Sequence, residues 1–246
     1  MIGPDSPIPP AGVFVLGDLW LWPGFGLSRP AHAQLMVADV HLGKAASFRA
    51  QGVPVPEQVT EDSLERLSVL IRASQAKTLI VLGDLIHDRL GLSGLLPVWT
   101  RWRDQHPHLE LKLILGNHDR RASAGAIESK LPGLQLLAEP FFDAALAMAH
   151  ESKALFDIQG SNDAAVLGLC GHEHPVILMP DVLKSKGLRR PCFYLDHQRI
   201  LHLPAFGSFT GGHPVSLARC KRLFVDTVDA VQEISTVLFQ KRRRHR

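Results

Sequence analysis

The chain has little cysteine: Cys170, Cys192 and Cys220 are the only three in 246 residues, and none lies in a C-x-x-C arrangement. So few thiols, scattered, offer no disulfide framework, and the cytoplasm is the expected compartment. No stretch reaches the roughly 18 uninterrupted apolar residues that a membrane helix needs, so no membrane role is expected. The Pro-rich start carries Asp5 before any basic residue, unlike a secretory signal. Repeats and long low-complexity runs are missing too. Excess charge is small: the net value is +3, and the run Lys241–Arg246 supplies five of the 27 Lys and Arg, leaving 22 against 24 Asp and Glu. The body is therefore not a general basic surface for nucleic acid. The tail could tether DNA or RNA through counterion release, but terminal basic runs are usually solvated. Residues 1–240, with 46% hydrophobic content over the chain, are expected to form one domain, and 241–246 a disordered tail.

What is present is a series of short blocks rich in Asp, His and Asn. They are Asp39-x-His41, Gly83-Asp84-x-x-His87-Asp88, Gly116-Asn117-His118-Asp119, a lone His150, and Gly171-His172-x-His174. Each follows a β-rich run: Leu35–Ala38, Thr78–Leu82, Leu111–Leu115, Ala144–Met148 and Ala164–Leu169. The donors would then sit just past the strand ends of one sheet, where open α/β sheets place their ligands. Taken singly, the blocks have ordinary readings. Asp and Gly are turn residues, Asn-His after a strand can be a helix cap, and a lone His is usually structural. Two histidines flanking one residue at a strand end point the same way. Five blocks together supply enough oxygen and imidazole donors for two metal ions.

Two ions answer one chemical problem, hydrolysis of an anionic phosphate ester at neutral pH. Metals about 3.5–4 Å apart lower the pKa of a shared water and neutralise charge on attacking and leaving oxygens. Imidazole mixed with carboxylate and amide oxygen suits manganese, iron or zinc better than calcium or magnesium. Manganese is the expected ion, with iron and zinc as alternatives. Cys170, beside the last block, could be a soft ligand, but strand alternation reads it as a buried apolar thiol.

The order D-x-H, G-D-x-x-[DH], G-N-H-[DE], H, G-H-x-H resembles the calcineurin-like metallophosphoesterases over Leu35 to Pro175. That resemblance implies an α/β fold of two packed mixed β-sheets flanked by helices, an αββα sandwich. It implies Asp39, His41 and His174 on a first metal, Asp84 as the bridge, and Asn117, His150 and His172 on the second. His118 would not ligate but act on the scissile phosphate or leaving group, aligned by a neighbouring carboxylate, Asp119.

Where phosphoprotein phosphatases of that family carry aspartate, this chain has His87, followed by Asp88 and Arg89, which resembles the nuclease branch. There the extra histidine helps position the nucleotide phosphate. Val37–Ala46, Gly52–Pro56 and Leu203–Gly212 are similar to the ligase-associated DNA damage response endonucleases. The resemblance implies a DNA endonuclease or phosphodiesterase of a repair system, with nucleic acid as substrate and a DNA ligase and helicase as partners. The alternative is a phosphatase or phosphodiesterase of a small phosphate ester or cyclic nucleotide. A non-catalytic scaffold is a minor alternative, because such scaffolds lose ligands that this chain retains. Lys44, Arg49, Arg89, Arg120 and Arg121 lie just beyond ligand blocks, and the first four are the expected phosphate contacts.

Elsewhere the pattern predicts a strand pair, Val13–Leu16 and Leu19–Trp22, with Trp20 and Trp22 on one face as packing groups. Helices are predicted over Gln58–Ala73, from the spacing of Val59, Leu64, Leu67, Leu70 and Ile71, over Leu95–Gln105 and over Gly125–Leu131. After His174 the pattern turns to antiparallel β, Pro191–Leu195 and Ile200–Leu203. Leu223–Phe239 reads as helix or strand pair, and the family resemblance favours strands at Leu223–Val225 and Val231–Ile234.

Overall fold

Short apolar runs separated by turns build the first sheet in the computed structural model, which describes residues 8–56, 58–159, 166–179 and 188–235. Seven strands lie side by side in chain order: β1 (Phe14–Leu16), β2 (Leu19–Trp22), β3 (Gly26–Arg29), β4 (Gln34–Val37), β5 (Thr78–Leu82), β6 (Glu110–Ile114) and β7 (Leu134–Leu137). The first three pairings are antiparallel and the last three parallel. Parallel neighbours need crossovers, and helices supply them: α1 (Lys44–Ala50) and α2 (Val59–Ser74) join β4 to β5, and α3 (Arg89–Ser93) and α4 (Leu96–Gln105) join β5 to β6. α5 (Asn117–Ala122) and α6 (Ala124–Lys130) then lead to β7.

The second sheet is built from β8 (Phe141–Asp143), β9 (Leu146–Ala149), β10 (Leu167–Cys170), β11 (Pro175–Met179), β12 (Leu188–Asp196), β13 (Ile200–His202) and β14 (His213–Pro214). β15 (Cys220–Asp226) pairs with β12 and β16 (Val231–Glu233) with β15. β9, β10 and β13 run parallel, and the pairings of β12 with β11, β13 and β15 are antiparallel. A last helix, α7 (Lys153–Gln159), follows β9.

Side-chain alternation along the strands divides the core. Met36, Ala38, Ile80, Leu82 and Ile114 pack against Met148, Leu169, Phe193, Leu201 and Phe224 of the second sheet. Their neighbours Leu35, Val37, Leu79, Val81, Leu111 and Leu113 face the other way, onto Leu64, Leu67 and Ile71 of α2, Trp99 and Trp102 of α4, and Ile127 of α6. Period-two strands buried on both faces read as continuous apolar runs, as Thr78–Leu82 does. α7 covers the outer face of the second sheet through Leu155, against Ala147, Ala149, Cys170 and Ile200. This is the αββα sandwich.

The polar edges of buried aromatics are satisfied: Trp102 Nε1 donates to Ser68 Oγ at 2.9 Å and Trp22 Nε1 to Ser28 Oγ at 2.7 Å. Trp20 and Trp22 are neighbours, 6.3 Å between ring centroids. β9 starts two residues later than the sequence suggested, because Ala144, with φ of 50°, belongs to the β8–β9 turn. The 223–239 segment forms strands over its described part. The tail 241–246, residues 164–165 of the fifth expected run and 236–239 lie outside the described residues.

Candidate metal centre

Five of the seven expected ligands adopt left-handed backbone: Asp39 (φ 55°), His41 (51°), Asp84 (52°), His172 (68°) and His174 (44°). Asp and His tolerate this region better than other side chains, and the strain of order 1–3 kcal/mol per residue persists only where surroundings fix it. Here the surroundings are the neighbouring strand ends. β4 and β5 are parallel neighbours, so the blocks that follow them run together. The Asp39 N–H donates to the Gly83 carbonyl at 3.1 Å and the His41 N–H to the Asp84 carbonyl at 2.9 Å. The His172 N–H, from the second sheet, donates to Asp39 Oδ2 at 2.8 Å, and the His118 N–H to Asp84 Oδ1 at 2.9 Å.

The glycines of the motifs are there for closeness. A Cβ on Gly83, which has φ of 83°, would overlap the His150 ring, and one on Gly116 would overlap the Asp84 carboxylate. Gly83→Ala is therefore expected to displace His150. Loss of a supporting contact to a ligand typically weakens metal binding about 10–100-fold. Metal titration of the purified variant, with circular dichroism to verify folding, checks this; unchanged affinity would show that His150 is not held by this approach.

Two triads of donors stand side by side, Asp39/His41/His174 and Asp84/His150/His172, each with its donor atoms within 4.8 Å of one another. A third triad of that kind, His41/His87/His118, adjoins them. Asp39 is fully buried and Asp84 2% exposed, and among the described residues their charged neighbours at ion-pair distance are histidines rather than Lys or Arg. Buried carboxylates without compensation are costly. Asp39 Oδ1 and both ring nitrogens of His41 are buried without a hydrogen-bond partner.

The second triad is as tightly drawn. The His150 Nδ1–H donates to the Leu82 carbonyl at 3.0 Å, which turns Nε2 toward Asn117 Oδ1 at 3.1 Å, His172 Nδ1 at 3.1 Å and Asp84 Oδ2 at 3.6 Å. Four atoms able to ligate thus converge. Burial, assisted by Lys44 and by the neighbouring histidines, takes His41 down to about 2. Burial with Lys44 and His118 takes His87 down to about 4. Both rings are neutral at pH 7, as metal ligation requires. Burial opposes protonation of His174 as well, but the Asp39 carboxylate and the Thr210 carbonyl outweigh it and raise its pKa. Burial also raises Asp84. The donor set fits divalent metal.

His118 is held differently from the sequence expectation. Its Nδ1–H donates to the His87 main-chain carbonyl at 2.6 Å, and its ring stacks on that of His87, 5.0 Å between centroids. Asp119 is fully buried and accepts the N–H groups of Ile86 (2.9 Å), Gly116 (3.0 Å) and Leu85 (3.3 Å). Its carboxylate fastens the third block to the second and does not hold the His118 ring. Burial pushes Asp119 up to about 7, against those three donors. Asp88 caps α3 through the Gly91 N–H and accepts from Ser47 Oγ of α1.

The expected phosphate contacts separate. Lys44 is half-buried beside Asp84, His41 and His87, and burial lowers its pKa. The Arg49 guanidinium donates instead to the Val55 and Pro56 carbonyls, and Arg120 is paired with Glu139. Arg89 is exposed at the start of α3, and Arg121 is exposed in α5. Sequence reasoning missed Glu139, which accepts the His150 N–H at 2.8 Å. It also missed Thr210, whose carbonyl accepts from His174 Nδ1 at 3.3 Å. Thr210 lies inside the Leu203–Gly212 run that the family resemblance marked, the one available signal. Glu173, between the two histidines of the last block, is held by Tyr194 Oη at 2.5 Å and Arg219 at 3.0 Å.

No family model and no curated protein matches the chain. Among solved structures, the Pseudomonas putida nuclease MPE is 34% identical, with a TM-score of 0.68 over 88% of this chain and 94% of that one. A phosphoesterase of E. coli, Yfce, is 16% identical, with a TM-score of 0.42 over 82% and 98% of the two chains, too loose a likeness to argue from. Among the described residues, no helix is long and apolar enough to cross a membrane.

Proposed function

The chain is a calcineurin-like metallophosphoesterase, and from that membership we propose that it hydrolyses phosphodiester bonds in DNA as an endonuclease, using two divalent ions. The observation that carries this reading is the pair of adjacent Asp/His triads, with Lys44, His87 and His118 beside them. The P. putida protein, 34% identical, is a nuclease, which favours nucleic acid over a small ester. Manganese is the ion proposed first, with iron or zinc suiting the same donors. The site is proposed to be carried by a single domain, in the cytoplasm, within a DNA repair system that includes a ligase and a helicase.

In this reading Asp39, His41 and His174 would hold one ion and Asn117, His150 and His172 the other, with Asp84 as the ligand the two would share. When bound, the ions supply Lewis acidity and an acidified water. The chain's own groups do the rest. One proton of that water passes to solvent as its oxygen bonds to phosphorus, the ester P–O bond breaks, and the leaving oxygen takes the Nε2 proton of a doubly protonated His118 ring, which solvent restores after turnover. The His87 carbonyl aligns that ring by holding Nδ1. Lys44 and the neutral His87 imidazole contact non-bridging phosphate oxygens.

The deciding assay sets single-stranded DNA beside a cyclic nucleotide with the purified protein and manganese. Cleavage of DNA is expected; turnover of the cyclic nucleotide alone would move the assignment to a small phosphate ester. His87 refines the test. Its Nδ1 is buried without a partner, and it keeps a neutral form near pH 7. His87→Ala should impair cleavage of a DNA diester about tenfold more than that of a minimal aryl diester, whose good leaving group needs less positioning. Equal losses on both substrates would count against a nuclease.

A further inference from the structure

Beside His174 the site carries apolar surface that neither metal binding nor proton transfer uses. A cavity of about 220 Å³ opens there, lined by His174, Phe25, Pro175, Val176, Ala205 and Phe209 among others. Pockets for drug-sized ligands run to about 300–1,000 Å³. This one has room for a single flat ring system, not a whole ligand. Phe209 is 59% exposed and sits at φ of 60°, so an aromatic ring is left in water on left-handed backbone.

The loop that carries Phe209 is fastened on both sides to the first triad. The Gly207 N–H donates to the Asp39 carbonyl at 2.9 Å and the His213 N–H to the His174 carbonyl at 3.0 Å. Between them the Thr210 carbonyl accepts from His174 Nδ1, and Thr210 Oγ1 donates to the Gly207 carbonyl at 3.0 Å. Phe25, a second aromatic of the cavity, also has positive φ, 76°. The Arg66 guanidinium lies over the Phe25 and Phe206 rings, at 5.8 and 4.4 Å, with Nη1 donating to Ser208 Oγ at 3.5 Å. A ring fixed to metal-ligand blocks, exposed, in an apolar cavity backed by a cation, has the chemistry of a stacking platform.

We infer that this cavity is a nucleobase subsite, in which the base of a nucleotide flanking the scissile phosphate stacks on Phe209. The inference rests on the phosphodiesterase reading and deepens it. His174 belongs both to the first triad and to the cavity lining, so a nucleotide with its phosphate at that triad has its base beside the same histidine. Stacking on a phenyl ring reads no sequence, since every base has a π-face. The subsite therefore selects nucleotides over base-free phosphate esters while tolerating any sequence.

The test compares wild type, Phe209→Ala and Phe209→Trp on a single-stranded oligonucleotide and on the same oligonucleotide with abasic residues flanking the cleaved bond. Phe209→Ala should raise KM for the normal strand by about tenfold, within the range measured for base–aromatic stacking. It should leave KM for the abasic strand unchanged, and Phe209→Trp should retain wild-type behaviour. Equal effects of Phe209→Ala on both strands, no effect on either, or a changed oligomeric state with unchanged KM would overturn the subsite. Binding is read separately, by 2-aminopurine fluorescence of the oligonucleotide in a His118→Asn background that cleaves slowly. Quenching that depends on Phe209 in a protein that never cleaves DNA leaves the subsite standing and sinks the nuclease reading. Cleavage with no dependence on Phe209 does the reverse.

Discussion

Asp84→Asn is expected to remove nearly all phosphodiester hydrolysis and to lower bound metal from two ions per chain toward one, without unfolding the protein. The argument starts from charge. Asp84 is 2% exposed, and burial together with the Asp39 charge raises its pKa, against opposing contributions from His150 and the His118 N–H. In the absence of a cation that carboxylate is poorly compensated. Metal ions would supply the compensation, and a carboxylate can reach two of them through its two oxygens, which a neutral imidazole cannot. The amide of asparagine keeps the shape and one acceptor for the His118 N–H, now 2.9 Å from Oδ1, but loses the charge and the second oxygen lone pairs. Loss of one ion removes its neutralisation of charge on the attacking and leaving oxygens, on the scale of about 10²–10³ in rate for one electrostatic stabiliser. Metal content by atomic emission and kcat on a DNA oligonucleotide decide the matter. Two ions and full activity in Asp84→Asn would refute the bridging assignment. Because the lost charge was uncompensated, the metal-free variant should melt no lower than metal-free wild type.

The strands and the order of the ligand blocks were legible because both are local. Thr78–Leu82 is five apolar or β-branched residues ending at Gly83, and the structure places β5 over the same five residues. Gln58–Ala73 announced α2 through the spacing of Leu64, Leu67 and Ile71. What was not legible depends on partners far along the chain. Asp119 looked like an aligner of His118 because it is the adjacent residue, yet on a helix neighbours point apart, and its oxygens meet amides 33 and 34 residues away. Arg49 and Arg120 looked like phosphate contacts because they follow ligand blocks. Their charges are instead taken up by loop carbonyls and by Glu139, partners that no spacing rule supplies. Short pieces such as β3 (Gly26–Arg29) and β14 (His213–Pro214) carry no periodicity of their own and exist through their pairing. The left-handed backbone of five expected ligands left one trace in sequence, the preference for Asp and His there, which their chemistry masks.

His118→Asn separates the two roles that the geometry permits for that residue. His118 shares a triad with His41 and His87 whose donor atoms lie within 4.8 Å of one another, so position alone would let it ligate. Nδ1 is committed to the His87 carbonyl and the backbone N–H to Asp84, which leaves Nε2 free either to ligate, as proposed for His150 with its own Nδ1 on a carbonyl, or, on a doubly protonated ring, to give a proton to the leaving oxygen. The family resemblance favours the second role. Positioned acid catalysis is worth about 10²–10⁴-fold. His118→Asn should therefore lose that factor in kcat on DNA while retaining both ions. The loss should shrink on an aryl diester, whose leaving oxygen needs little protonation. Loss of one ion by metal analysis, with equal rate losses on both substrates, would make His118 a ligand and leave the proton to reach the leaving oxygen from solvent.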